Sequence, residues 1–206
     1  CCALLFEPKK GRIMLRKLIY LPFILGLILL DQVSKWWIIE MTLRPQLFEA
    51  GGASLPFGTW LTTHGQDLFP PASLPIYSFF NIVMVWNKGV SFGMFSSAHD
   101  IMPYILSGFA VLMVSVLLVW LVRATYFVTT IPLTLVISGA LANVWDRVRF
   151  GAVADFLDFH VGDWHYPAFN IADCCIVVGV AGLALDGLLF EPRRRQKGQE
   201  GELLAS

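Results

Sequence analysis

Two stretches of 22 consecutive uncharged residues, Ile101 to Val122 and Ala124 to Trp145, with only Arg123 between them, limit this fold more than any other feature. Each is as long as the roughly 20-residue apolar helix that crosses a hydrocarbon layer of about 30 Å. Two further runs are nearly as apolar. Leu18 to Leu30 carries no charge and extends to about Ile39 once Asp31 and Lys35 are admitted, and a run from about Ala168 to Phe190 holds only Asp173 and Asp186. The pattern predicts a mainly α membrane protein with four transmembrane helices. Composition agrees, since 56% of residues are hydrophobic and 15% charged, against about 25% charged in soluble domains. The 15 basic and 15 acidic residues balance, so no global field favours nucleic acid as a partner.

Lys and Arg near the ends of the spans set the orientation. Lys9, Lys10, Arg12, Arg16 and Lys17 precede the first span, Arg123 separates the second from the third, and Arg193, Arg194, Arg195 and Lys197 follow the fourth. Ten of the 15 basic residues thus fall on one side, which predicts that both termini are cytoplasmic. Residues 1–206 form one membrane-embedded unit, with a basic N-terminal segment at 1–17, extracytoplasmic segments at 40–100 and 146–167, and a basic tail at 191–206. Residues 1–13, ahead of the first methionine at Met14, read as an upstream extension with no assigned role. The cysteines form two adjacent pairs, Cys1-Cys2 and Cys174-Cys175, a spacing that suits neither metal nor redox chemistry. Cys174 and Cys175 read as small packing residues of a membrane helix.

Within 40–100, the aromatic and β-branched run Tyr77 to Trp86 predicts a short sheet on the membrane surface, followed by a glycine-punctuated loop from Asn87 through Gly89 to Gly93. Residues 47–73 read as an irregular insertion. In the second segment, residues 153, 155, 157, 159 and 161 share one strand face, on which Asp155 is the only polar side chain. Gly162-Asp163 suits a two-residue turn with glycine first. Pairing Val161 with Trp164 then sets Asp155 opposite Asn170, although Pro167 weakens such a ladder.

Each acidic residue has a structural reading beside a chemical one. Asn170 can cap the fourth helix with Asp173 at its third position. Asp146 can pair with Arg147 or Arg149 at the end of the third helix. Asp158 and Asp163 read as solvated residues of the hairpin, and His160 and His165 match no metal spacing. Asp31 and Lys35 share a helix face at i and i+4 and pair there, and ionisable groups inside a span mark a functional region. Two carboxylates at an apolar boundary also suit water activation. One stays protonated while the other takes a proton from water.

The motifs Asp31-Gln-Val-Ser-Lys35, Asn87-Lys-Gly89, Asn143-Val-Trp-Asp146-Arg147, Gly151-Ala-Val-Ala-Asp155-Phe156 and Phe169-Asn170-Ile-Ala172-Asp173 occur in the order and places seen in bacterial type II (lipoprotein) signal peptidases. The chain resembles that family from about Leu18 to Phe190. The resemblance implies an aspartic endopeptidase of the bacterial inner membrane, needing no cofactor or metal, that cuts prolipoproteins before a lipid-modified cysteine, with membrane lipids around it. It implies Asp155 and Asp173 as the catalytic pair, with Asp31, Lys35, Asn87, Gly89, Asn143, Asp146, Arg147 and Asn170 in support and Asp146 as the alternative acid. It also implies a small extracytoplasmic β-cradle and a short surface helix beside the four spans. Ser138 and Ala142 stand where the family often has glycine, Ala154 replaces a frequent valine, and the 47–73 insertion is longer than usual. A proton carrier using Asp31, Asp173 and Asp186, or a non-catalytic scaffold, are the competing readings.

Overall fold

The computed structural model describes residues 19–47, 53–64, 69–89 and 101–190, together with positions 192, 194 and 196. The basic clusters at 9–17 and at 193, 195 and 197, the Cys1-Cys2 pair, and the loop beyond Gly89 lie outside the described residues. In chain order the elements are α1 (Tyr20–Leu47), α2 (Phe57–Thr62), β1 (Ala72–Tyr77), β2 (Phe80–Asn87), α3 (Met102–Arg123), α4 (Phe127–Phe150), β3 (Val153–Val161), β4 (Trp164–His165) and α5 (Ile171–Phe190). Among the described residues, α1, α3, α4 and α5 are long and apolar enough to cross a membrane. Phe23, Phe109, Leu112, Val116, Val177 and Val180 point outward and are 45–66% exposed, the expected state of side chains that meet lipid rather than water. Ile24, Val114, Leu121, Leu133 and Ile137 pack inside the bundle.

α4 sits at the centre and packs on the other three spanning helices. Its tightest approach to α5 is at Gly139, where an added Cβ would lie 2.3 Å from the Ala172 carbonyl oxygen. Ser138 and Ala142, the departures from glycine, are both buried, and Ser138 turns its hydroxyl back to Thr134 O at 2.6 Å. The close contact that brings the start of α5 against α4 therefore survives through Gly139 alone on that turn.

The first span does not end near Ile39. Regular helix from Tyr20 to Trp36 passes into π-helical turns at Trp37–Leu43 and a final turn at Arg44–Leu47. Glu40, which closes the apolar run in the sequence, is buried at 1% exposure and accepts from Arg44 Nε (2.6 Å) and Leu55 N (2.9 Å). An acid satisfied in this way does not terminate a helix, so the segment expected to begin at residue 40 starts within one.

The described parts of the 47–73 segment are regular rather than irregular. They contain α2 and the first residues of β1, and Trp60 of α2 is 3% exposed in a core with Ile39, Leu43, Phe69, Met84 and Ala154. This core ties the extension of α1 to one face of the sheet. The sheet is antiparallel in the order β1-β2-β3-β4, with a bulge between Ile82 and Val85. β2 starts at Phe80, since Tyr77 belongs to β1 and Ser78-Phe79 form the turn between them.

Val161 pairs with Trp164 as expected, and His160 with His165. One further bond in that register follows, from Tyr166 N to Phe159 O at 2.8 Å, and the ladder then stops. The chain rejoins β3 through Leu157↔Phe169, one residue out of phase with an Asp155–Asn170 pairing. Pro167 explains the slip, because it has no N–H to donate and cuts β4 to two residues. The shared face of β3 is buried at Val153 and Asp155 but exposed at Phe159 and Val161, so only its inner end is enclosed. On the opposite face, Asp158 is not solvated. It is 5% exposed and accepts from Asn81 Nδ2 at 2.8 Å, with His165 Nδ1 at 2.9 Å, whereas Asp163 is exposed at the turn.

Candidate active site

The sheet packs at the end of the bundle where α1 and α4 finish and α5 begins, and the acidic residues converge there. Asn170 caps α5: its Oδ1 accepts from Asp173 N at 2.9 Å, while Asp173 Oδ2 accepts from Asn170 N at 3.2 Å. The capping reading of this pair is correct, and it does not exclude the chemical one. Asn170 Nδ2 also donates to Asp155 Oδ1 at 2.7 Å, and Asn143 Nδ2 of α4 donates to Asp173 Oδ1 at 2.8 Å. The two amides join through Asn170 Nδ2 and Asn143 Oδ1 at 3.2 Å. A fully buried asparagine thus holds both acids, despite the slipped register, because its side chain reaches where the ladder does not.

Asn87, at the end of β2, donates to Asp155 Oδ2 at 3.1 Å and accepts from Gly89 N at 2.8 Å. Gly89 has φ +81°, and a Cβ there would also strike Leu106, so only glycine closes this turn without strain. Asp155 is 1% exposed. Burial and the nearby Asp173 charge push its pKa up to about 7, against the hydrogen bonds from Asn87 and Asn170 and the charge of Lys35.

Beneath the pair lies a buried ionic cluster. Lys35 Nζ is 2.7 Å from Asp31 Oδ2, as the i, i+4 spacing predicts, and equally 2.7 Å from Asp146 Oδ2. Asp31 Oδ1 accepts from Ala172 N at 2.9 Å, and Asp146 Oδ2 from Ala154 N at 3.3 Å. Asp146 is therefore neither paired with Arg147 nor a free second acid. Neighbours at i and i+1 diverge by about 100° around a helix, so Asp146 faces Lys35 while Arg147 turns elsewhere. The Arg147 guanidinium feels Asp173, Asp146 and Asp155, and its Nε is buried with no hydrogen-bond partner among the described residues.

Two polar residues of this region carry no separate sequence signal. Gln32 and Arg149 are 2% and 3% exposed and bond to one another at 2.9 Å. Position alone could have flagged them: Gln32 interrupts a span beside Asp31, and Arg149 lies one turn beyond Asp146. Asp186 does not join the cluster. It bonds Thr129 and Arg194 near the other end of α5, about 20 Å from Asp173 at 1.5 Å per residue, so the two do not share a site. His160 and His165 stack with ring centroids 4.8 Å apart, and among the described residues no third ligand joins them as a metal site.

Four spanning helices, a small sheet closing one end and acidic side chains enclosed beneath it define a multi-pass membrane protein with a buried polar site at that end. Comparison with known proteins gives the same architecture and adds a lineage. A sequence profile described as "Signal peptidase (SPase) II" matches residues 23–189. Lipoprotein signal peptidase of Methylorubrum extorquens is 35% identical over 170 residues, covering 82% of this chain and 85% of that one. The enzyme of the same name from Cupriavidus taiwanensis is 35% identical over 173 residues, 83% of either chain. A solved structure described as a bacterial membrane enzyme shares the fold, with TM-score 0.59 at 20% identity over 84% of this chain and 94% of that one. The chain belongs to the signal peptidase II family, and is a membrane protease.

Proposed function

We propose that the chain removes signal peptides from prolipoproteins as an aspartic endopeptidase, cutting before the diacylglyceryl-modified cysteine. The observation that carries this reading is the side chain of Asn170, bonded at once to Asp155 and to the backbone of Asp173. Asp155, whose pKa burial and the Asp173 charge push up to about 7, is the one of the two assigned the proton. Asp173 takes a proton from a water, which attacks the scissile carbonyl carbon. Asp155 then gives its proton to the leaving amine as the C–N bond breaks, leaving a carboxylic acid on one product and an amine on the other. Asn143, Asn170 and Asn87 hold the two carboxyl groups, and Arg147 offers positive charge beside the developing oxyanion. The basic flanks support cytoplasmic termini in a bacterial inner membrane, with the site facing outward, and residues 1–206 acting as one peptidase unit.

The test compares a diacylglyceryl-modified precursor with the same peptide unmodified, in detergent. Cleavage confined to the lipidated precursor is expected, and equal cleavage of both would remove the substrate assignment. The protonation assignment has its own signature. Because Asp155 must keep its proton to act as the acid, kcat/KM should fall as pH rises through about 7 in a scan from about 5.5 to about 9. A profile that instead rises through that value would exchange the roles of the two acids.

A further inference from the structure

Arg149 and Gln32 take no part in the reaction as assigned, yet each spends its polar atoms in a connected way. Arg149 Nη1 donates to Gln32 Oε1 at 2.9 Å, Nη2 donates to Trp60 O, and Nε donates to Thr63 O at 3.3 Å. The last two acceptors are carbonyls at the C-terminal end of α2, where Trp60 O also accepts from Thr63 N at 3.2 Å. The guanidinium carbon lies 4.5 Å from the centre of the Trp60 ring and 4.3 Å from that of Phe150, so both rings offer it cation–π contact. Gln32 continues the chain of bonds. Its Nε2 donates to Asp146 Oδ1 at 2.8 Å and to Asp31 Oδ2 at 3.2 Å.

From there the bonds reach the backbone on either side of the reaction centre. Asp31 receives the N–H of Ala172, one residue before Asp173, and Asp146 receives the N–H of Ala154, one residue before Asp155. A single path of hydrogen bonds thus runs from α2 through Arg149 and Gln32 to the residues preceding both acids. A cation serving only to secure α2 would not need an amide that also contacts both lysine-binding carboxylates.

We propose that Arg149 and Gln32 are positioning residues that couple the placement of α2 to the alignment of Asp155 with Asp173. The proposal rests on the peptidase reading, and wild-type protein and Asp155→Asn assayed in parallel keep the two questions apart. The experiment is a double-mutant cycle on the full chain in detergent with the lipidated precursor, recording kcat, KM, pH profile and thermal unfolding. Arg149→Gln and Gln32→Ala are each expected to lower kcat by about 10- to 100-fold, the scale of a small misalignment, with KM changed by less than about threefold. The double variant should be no slower than the worse single variant, because both cut the same path. Arg149→Lys, which keeps charge but not the three-way fork, should recover part of the rate. The pH limb near 7 should move in the impaired variants, since the backbone beside Asp155 is released.

Losses that multiply in the double variant, or folded variants with wild-type kcat and an unmoved pH limb, would overturn the coupling. If Arg149→Gln does not yield folded protein, the cycle is run with Arg149→Lys and Gln32→Ala, and the same two outcomes decide it. A wild-type protein that leaves the precursor intact would overturn the peptidase reading and the coupling with it.

Discussion

Asp155→Asn and Asp173→Asn are each expected to lower cleavage of a diacylglyceryl-modified precursor by about 10²- to 10⁴-fold, the range that a positioned general acid or base supplies. The loss should be in turnover, with the protein still folded, because neither carboxylate holds the bundle together. Asp155 is bonded through side chains of Asn87 and Asn170, and the capping role of Asp173 is shared with Asn170. An amide keeps the size of each acid but can neither take up nor release the proton. The measurement is the electrophoretic shift of the precursor against time, alongside thermal unfolding of each variant. Full turnover by either one would reject the pair as the reaction centre.

The second large effect falls on stability. Lys35 is completely buried between Asp31 and Asp146, so Lys35→Met takes from two enclosed carboxylates the one cation that bonds both directly. Breaking a buried ion pair from one side costs about 3–5 kcal/mol, enough to remove a large part of an ordinary folding free energy. The seven tryptophans report unfolding by their fluorescence. A midpoint close to the wild-type value would show that the Lys35 ion pairs do not hold the fold. Adding Asp31→Asn and Asp146→Asn to Lys35→Met should recover much of the lost stability, because the triple change removes the stranded charges as well.

The legibility of the sequence varied with the reach of the interaction involved. The four spans were readable because apolar length is a local property, and only the end of α1 was misjudged. There the charge of Glu40 suggests a boundary, whereas Arg44 and the Leu55 N–H neutralise its effect. The pairing of Asp31 with Lys35 follows from helical spacing. The partner of Asp146 does not, since Lys35 lies 111 residues away in the chain and no periodicity announces it. Alternation places Asp158 toward water, but its burial depends on Asn81 from another hairpin. The turn at Gly162 was foreseen and the register beyond it was not, as Pro167 interrupts the ladder on which the count relied. For Asp155 and Asp173, the family motifs added what spacing left open: that a helix cap and a strand residue belong to one site.

The hydrogen bond from Ala172 to Asp31 joins residues 141 apart in the chain, and this has a bearing on biogenesis. A ribosome delivers the first span long before the last, so a growing chain holds Asp31 and Lys35 in the bilayer with only each other for company. Asp173 arrives after almost everything else has been synthesised. On the function proposed above, a nascent chain that stops before Asp173 lacks one of the two acids and so cannot cut its neighbours.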